Sequence, residues 1–152
     1  MLMERVAEVV RGWPYDGSLD RVEPIKTSVT LVNGDWVTKE AGNVVNKTHA
    51  TVPTSSAGLV IVGNGDSSSA STSGKAVVLW GNFIAKVSNF TAGVYAPGDK
   101  LTVVSGKLTK ATAADLNDVT APLVLGDPVI GYVLDVVAAS ATETAHIVVK
   151  VA

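Results

Sequence analysis

The run Gly63-Asn64-Gly65-Asp66-Ser67-Ser68-Ser69-Ala70-Ser71-Thr72-Ser73-Gly74-Lys75 has the composition of a phosphate cradle. A P-loop requires a glycine, four spacers and then Gly-Lys-Ser/Thr. Here Gly74-Lys75 is followed by Ala76, and Ser69 stands where the first glycine belongs. The dinucleotide fingerprint fails too, because Ser68 occupies the third glycine position after Gly63 and Gly65 and no helical pattern follows. With nothing apolar to bury, residues 63–74 read as a flexible surface loop. The two histidines, His49 and His146, have no carboxylate or second histidine at metal-ligand spacing. No Gly-x-Ser-x-Gly elbow exists to activate a serine. Asp115, Asn117 and Asp118 lie close together, but a calcium loop would need more acids and a turn glycine among them.

Composition narrows the function classes further. A net charge of -2 supplies no basic field for phosphates, so direct nucleic-acid binding is not expected. Without cysteine there is no disulfide, thiolate nucleophile or cysteine-bound metal. The opening Met1-Leu2-Met3-Glu4-Arg5 and the short run after it are too charged for a signal core, and no segment approaches transmembrane length. Asn46-Lys47-Thr48 and Asn89-Phe90-Thr91 match the glycosylation triplet and read as chance matches. Gly98-Asp99-Lys100-Leu101 with Ser105-Gly106-Lys107-Leu108 resembles the hairpins of biotin and lipoate carriers, but Lys107 lacks their flanking Met or Asp-Ala context. The expectation is a protein that is not an enzyme and has no catalytic, cofactor or metal residues.

The elements that would position any contact residue are strands. Hydrophobic residues at 47% against 17% charged predict a folded chain, and the surplus of Val and Thr favours sheet over helix. The expected architecture is all-β, a small β-barrel or β-sandwich with an N-terminal arm or short helix. An arm spans residues 1–26 and a body spans 27–152, with the Ser/Gly loop 63–74 inside it. Leu2, Val6, Val9 and Val10 share one helical face that Gly12 could end, although a strand fits there nearly as well. Trp13-Pro14-Tyr15-Asp16-Gly17-Ser18 is a breaker-rich elbow. Thr27–Val32 and Trp36–Lys39 flank Asn33-Gly34-Asp35 like a hairpin. Further strands are expected at Val44-Val45, Leu59–Val62, Ala76–Trp80, Ile84–Val87, Leu101–Val104, Leu108–Lys110, Val129–Val137 and His146–Val151. Leu59–Val62 does not alternate and should be buried on both faces. Pro97-Gly98 suits a type II turn, and Thr112–Leu116 could form one helical turn. Residues 30–39 and 102–110 echo one another as strand, glycine turn, strand ending in Thr-Lys. Lys39, Lys110 and Lys150 near strand ends would protect sheet edges.

Gly93-Val94-Tyr95-Ala96-Pro97-Gly98-Asp99-Lys100-Leu101, Ser105 to Ala111, Ile130-Gly131-Tyr132-Val133 and Ala145 to Val149 together resemble the head decoration, or capsid cement, proteins of tailed bacteriophages. The resemblance covers roughly the last sixty residues. It implies a small barrel or tulip-like domain that sits as a homotrimer on the capsid exterior and bridges copies of the major capsid protein. The location would be the virion, reached through the host cytoplasm, with no membrane or direct nucleic-acid partner. Such a protein works through a rigid scaffold and buried contact area, not through an active site. Arg11, Trp13, Tyr15 and Arg21 are the expected capsid or partner contacts, because aromatics and Arg dominate interfaces and these four lie in the arm. Trp13 and Tyr15 could instead cover an open end of the barrel. Trp36, Trp80, Phe83 and Tyr132 are expected in the core or a trimer seam. The alternative is a tail, fibre or baseplate module that binds glycan or another virion protein.

Overall fold

The computed structural model describes residues 7–9, 20–47, 57–66, 74–112, 126–136 and 147–151. These form eleven strands and no helix: β1 (Ala7–Val9), β2 (Asp20–Pro24), β3 (Trp36–Glu40), β4 (Val44–Asn46), β5 (Gly58–Val62), β6 (Lys75–Leu79), β7 (Phe83–Val87), β8 (Lys100–Val104), β9 (Lys107–Lys110), β10 (Gly131–Val136) and β11 (Ile147–Val151). A six-stranded sheet has the order β1-β7-β11-β10-β8-β9, and a five-stranded sheet the order β2-β6-β5-β3-β4. All the ladders are antiparallel. The architecture is thus an all-β sandwich, not a closed barrel. Where a helix was one expectation for the N-terminal stretch, Ala7–Val9 is a strand on the edge of the larger sheet. β2 also falls within the expected arm 1–26, yet it pairs along its whole length with β6.

The larger sheet follows the period-two rule. In β7 and β11, Phe83, Ala85, Val87, Ile147, Val149 and Val151 point inward and are buried, while the residues between them are half-exposed. They join Leu101, Val103, Leu108 and Val133 in the main core. The smaller sheet closes over this core with Trp36, Leu59 and Leu79, and the Trp36 and Phe83 rings stack across the gap at 6.4 Å. Each of those three residues has a neighbour facing the opposite way. Val37, Val60 and Val78 pack with Leu31, Val45 and Ala76 into a second buried cluster on the far face. β5 is therefore buried on both faces, as its uninterrupted apolar run predicts.

What covers the far face is residues 25–34, and here the expected hairpin fails. Thr27–Val32 is not a strand: Ser28 takes a positive φ of 69° and the N–H of Val29 turns back to the Lys26 carbonyl at 3.1 Å. The next donors go to side chains. The Leu31 N–H donates to Asn64 Oδ1 at 2.7 Å, that of Val32 to Asp35 Oδ2 at 2.9 Å and that of Asn33 to Asp66 Oδ2 at 3.0 Å. Backbone donors that a ladder would satisfy are thus met by three carbonyl-bearing side chains, so the irregular segment can pack Leu31 against the sheet without a ladder. Asn33-Gly34 remains a turn, with Gly34 at φ 95°, but the hairpin is β3–β4, one turn later.

The same contacts correct the reading of the Ser/Gly loop at its start. Gly63–Asp66 docks on residues 29–33, and a Cβ at Gly63 would stand 2.0 Å from the Leu31 carbonyl oxygen. Its glycines permit close approach of two backbones. Residues 67–73 of that loop, the helical turn proposed beyond Thr112, His49 and His146 lie outside the described residues.

Two polar joints fasten the sandwich. The buried Asn89 donates its Nδ2 to the carbonyls of Gly34 at 3.1 Å and Gly106 at 3.0 Å, tying together the glycine turns of the two echoing segments. Only the second of those segments is a true hairpin, β8–β9, so the echo does not extend to a duplicated structure. Asn46 and Asn89 are both buried, which leaves neither amide accessible to a glycan in the folded state and agrees with the chance-match reading. The second joint is Tyr95, whose hydroxyl donates to the Thr91 carbonyl at 2.6 Å while its ring packs on Phe90. Burial, with a smaller push from the Asp99 charge, raises this hydroxyl to about 12. Asp99 follows the type II turn at Pro97-Gly98, which forms as expected, with Gly98 at φ 90°.

Of the three lysines expected to guard edges, only Lys110 sits on an edge strand, β9. Lys39 and Lys150 lie on strands paired on both sides.

Two outcomes follow from these joints. Gly131 faces β11 so closely that a Cβ would stand 2.0 Å from the Lys150 carbonyl oxygen. Gly131→Ala should therefore cost at least about 2 kcal/mol in denaturant unfolding, and a variant as stable as wild type would show that β10 and β11 can part without loss. For Tyr95 the raised value means its contribution is whole below pH 10 and is lost as the pH climbs towards about 12. One of the three tyrosines should accordingly ionise late in an ultraviolet titration. Tyr95→Phe should remove that step and cost about 1 kcal/mol.

Candidate functional site

Two surface features bring functional residue types together. The first is a concave site on the far face of the five-stranded sheet. Curling of that sheet brings β2 towards β3 and β4, as the isolated parallel bridge Ile25↔Val45 records. Lys39 on β3 therefore reaches Glu23 on β2, Nζ to Oε2 at 3.1 Å, and Lys26 reaches Glu40 at 2.7 Å. Among the described residues, Arg21, Glu23, Lys39 and Trp80 line an open hollow of about 360 Å3. The Glu23 carboxylate is buried, whereas Lys39 and Arg21 are exposed.

Trp80 owes its place to a glycine. Gly58 adjoins Trp80 just beyond the Leu59↔Leu79 pair that ends the β5–β6 ladder, and a Cβ at Gly58 would lie 2.9 Å from Cδ2 and Cε3 of the indole and 2.5 Å from Val78 Cγ1. The ring fills the room that any other residue at 58 would take. Its Nε1–H is buried and has no acceptor.

The second feature is an exposed apolar pair on β10, Tyr132 and Leu134, on the outer face of the larger sheet, with Val129 also exposed just before the strand. Val129, Tyr132 and Leu134 are 43%, 37% and 37% exposed. Tyr132 lies level with Lys100 on β8 and Lys150 on β11, and Lys150 is level with Ile84. Register shifts between Val133 and Asp135, so that Val133 faces the core while both Leu134 and Asp135 are exposed. Such a bulge re-aims one side chain at the expense of one ladder position.

The residues singled out from the sequence separate accordingly. Trp36 and Phe83 are core. Trp80 borders the second buried cluster and the cavity, and Tyr132 belongs to the exposed pair and not to the core. Arg21 is on β2, not in a free arm, and lines the cavity. Arg11, Trp13 and Tyr15 lie outside the described residues. Glu23, Lys39, Gly58 and Leu134 were not legible as site residues. Among the described residues, no group of three or more His, Cys, Asp or Glu could hold a metal ion.

Neither feature can be assigned by likeness. No family model, curated protein or solved structure matches this chain.

The dependence of the cavity on Gly58 can be measured. Gly58→Ala should displace the Trp80 indole, shifting its fluorescence in a background where Trp13 and Trp36 are replaced by Phe, and should cost about 1–3 kcal/mol. Unchanged emission and stability would mean the indole does not rest on Gly58.

Proposed function

We propose that the chain is a non-catalytic adhesion domain, a capsid decoration protein of a tailed bacteriophage. It would grip the capsid exterior and bridge copies of the major capsid protein as a homotrimer. The observation that carries this reading is the pair Tyr132 and Leu134, large apolar side chains exposed on the sheet, with Lys100 and Lys150 level with Tyr132. A surface of this kind suits burial against a partner that offers apolar contact and acidic groups at the rim.

The location of the resembling motifs adds support. The strands that carry them, β8, β9, β10 and β11, stand side by side in the order β11-β10-β8-β9. Gly131, in the Ile130-Gly131-Tyr132-Val133 motif, has the close backbone approach that its glycine implies. The contact pair thus lies among the strands from which the resemblance was drawn.

Arg11, Trp13 and Tyr15 remain proposed contacts. Testing them by removing Met1 to Ser18 would also strip β1 from β7, so point substitutions are the cleaner probe.

The double variant Tyr132→Ser, Leu134→Ser should bind empty shells of the virus's own major capsid protein at least roughly tenfold more weakly than wild type in co-sedimentation. Its thermal midpoint should hardly change. Light scattering of the wild type should give three times the 15.6 kDa chain mass. Wild-type protein that ignores the shells would sink the reading.

A further inference from the structure

The strands that end the two sheets differ in how their outer sides are treated. β4 is met by Ile25 and Lys26 and β9 by residues 89–91 of the same chain, and β1 is three residues long. β2 is longer, Asp20–Pro24, and among the described residues its strand pairing is with β6 alone. The direction of its peptide groups follows from the hydrogen bonds just beyond it. The Ile25 N–H donates to the Gly74 carbonyl at 2.9 Å, on the β6 side, and the Lys26 N–H to the Val45 carbonyl at 3.1 Å, on the other side. Register along β2 is unbroken, so alternation directs the peptide groups of Arg21 and Glu23 at β6 and those of Asp20 and Val22 outward. Pro24 falls in the outward set, where its missing N–H costs the ladder nothing.

An apolar row runs off this edge. Val62 on β5 is level with Val77 on β6, and Val77 with Val22 on β2. The first two are half-buried, whereas Val22 is 66% exposed. The row therefore ends at an apolar side chain whose own N–H and C=O also point outward, which suits the addition of another strand.

The sequence of β2 fits that strand being a second β2. In an antiparallel pair centred on Val22, each Val22 exchanges both of its hydrogen bonds with its counterpart, and each Asp20 N–H meets the opposite Pro24 carbonyl. The missing N–H of Pro24 falls at the ends. Charge selects this register: Arg21 of one copy comes level with Glu23 of the other, whereas centring on Arg21 or on Glu23 would set like charges against each other. Glu23 keeps its bond to Lys39, and the fit needs only the order of the signs along the strand. The Val77-Val22 row is continued across the two-fold axis by its own image.

We propose that two copies of the chain associate through β2, antiparallel and centred on Val22, joining their five-stranded sheets into one continuous sheet. The pairing uses the same edge of both copies, so it closes at the pair and does not propagate. It leaves the β10 surface untouched and does not rest on the capsid-binding reading.

Sedimentation velocity of the full chain decides it. From about 10 µM to about 1 mM the basic unit should double in mass, with a dissociation constant on the order of 100 µM because so short an edge buries little area. The doubling is read against the mass at low concentration, so a monomeric or a trimeric unit serves equally, and failure to bind shells leaves the result standing. Val22→Lys and Val22→Glu each set like charges across the axis and should weaken doubling at least roughly tenfold, while an equal mixture of the two should restore it. Val22→Pro removes the outward N–H without touching the β6 ladder, as Pro24 already does, and should also weaken doubling at least roughly tenfold. Val22 is exposed, so the Lys and Glu variants should keep the wild-type thermal midpoint and carry the test if Val22→Pro unfolds. The proposal is overturned by a wild type that does not double at about 1 mM, by undiminished doubling in the Lys and Glu variants, or by a mixture that associates no better than either variant alone.

Discussion

The structure depends on one sheet that must hide both of its faces. In β3, β5 and β6 the consecutive pairs Trp36-Val37, Leu59-Val60 and Val78-Leu79 send one residue to the main core and the next to the opposite side. Fully burying a Val or Leu side chain is worth roughly 1.5–3 kcal/mol, so the six-residue far cluster represents on the order of 10 kcal/mol. That is comparable to the whole net stability of an ordinary domain. The cover formed by residues 25–34 is therefore obligatory. Its irregular backbone is tolerable because Asn64, Asp35 and Asp66 accept from it.

This constraint explains which parts of the fold could be read in advance. β7 and β11 alternate cleanly and β5 does not alternate at all, and both patterns have direct meanings in terms of one or two buried faces. Pro97-Gly98 and the β8–β9 turn at Ser105-Gly106 were legible because positive φ is a local demand on residue type. Residues 27–32 misled because Thr, Val and Leu suit a strand by composition. Whether they pair is decided by side-chain acceptors more than thirty positions away. The glycines of Gly63-Asn64-Gly65-Asp66 look like flexibility in one dimension and are close packing in three.

The surface sites were less accessible to sequence reasoning for the same reason. Arg21 and Trp80 were singled out by residue type alone, and their shared cavity needs Lys39 and Glu23, which meet only because the sheet curls. Tyr132 reads as an aromatic of the core or of a trimer seam. The pairing parity of Gly131 and Val133, and the bulge after them, place Tyr132 and Leu134 outward, which excludes the core alone. A bulge depends on the partner strand and leaves no mark in the sequence of β10 itself.

The curl of the sheets has one more effect. The outer edge of β4 is met by Ile25 and Lys26, and that of β9 by residues 89–91, each through a bridge of a single residue pair with flanking hydrogen bonds. Two flanks that would otherwise offer bare amides to a stranger's strand are folded back onto their own chain. Many copies could therefore stand shoulder to shoulder at high local density without seeding fibres at those flanks, so crowding would favour whatever side-chain contacts the surface provides.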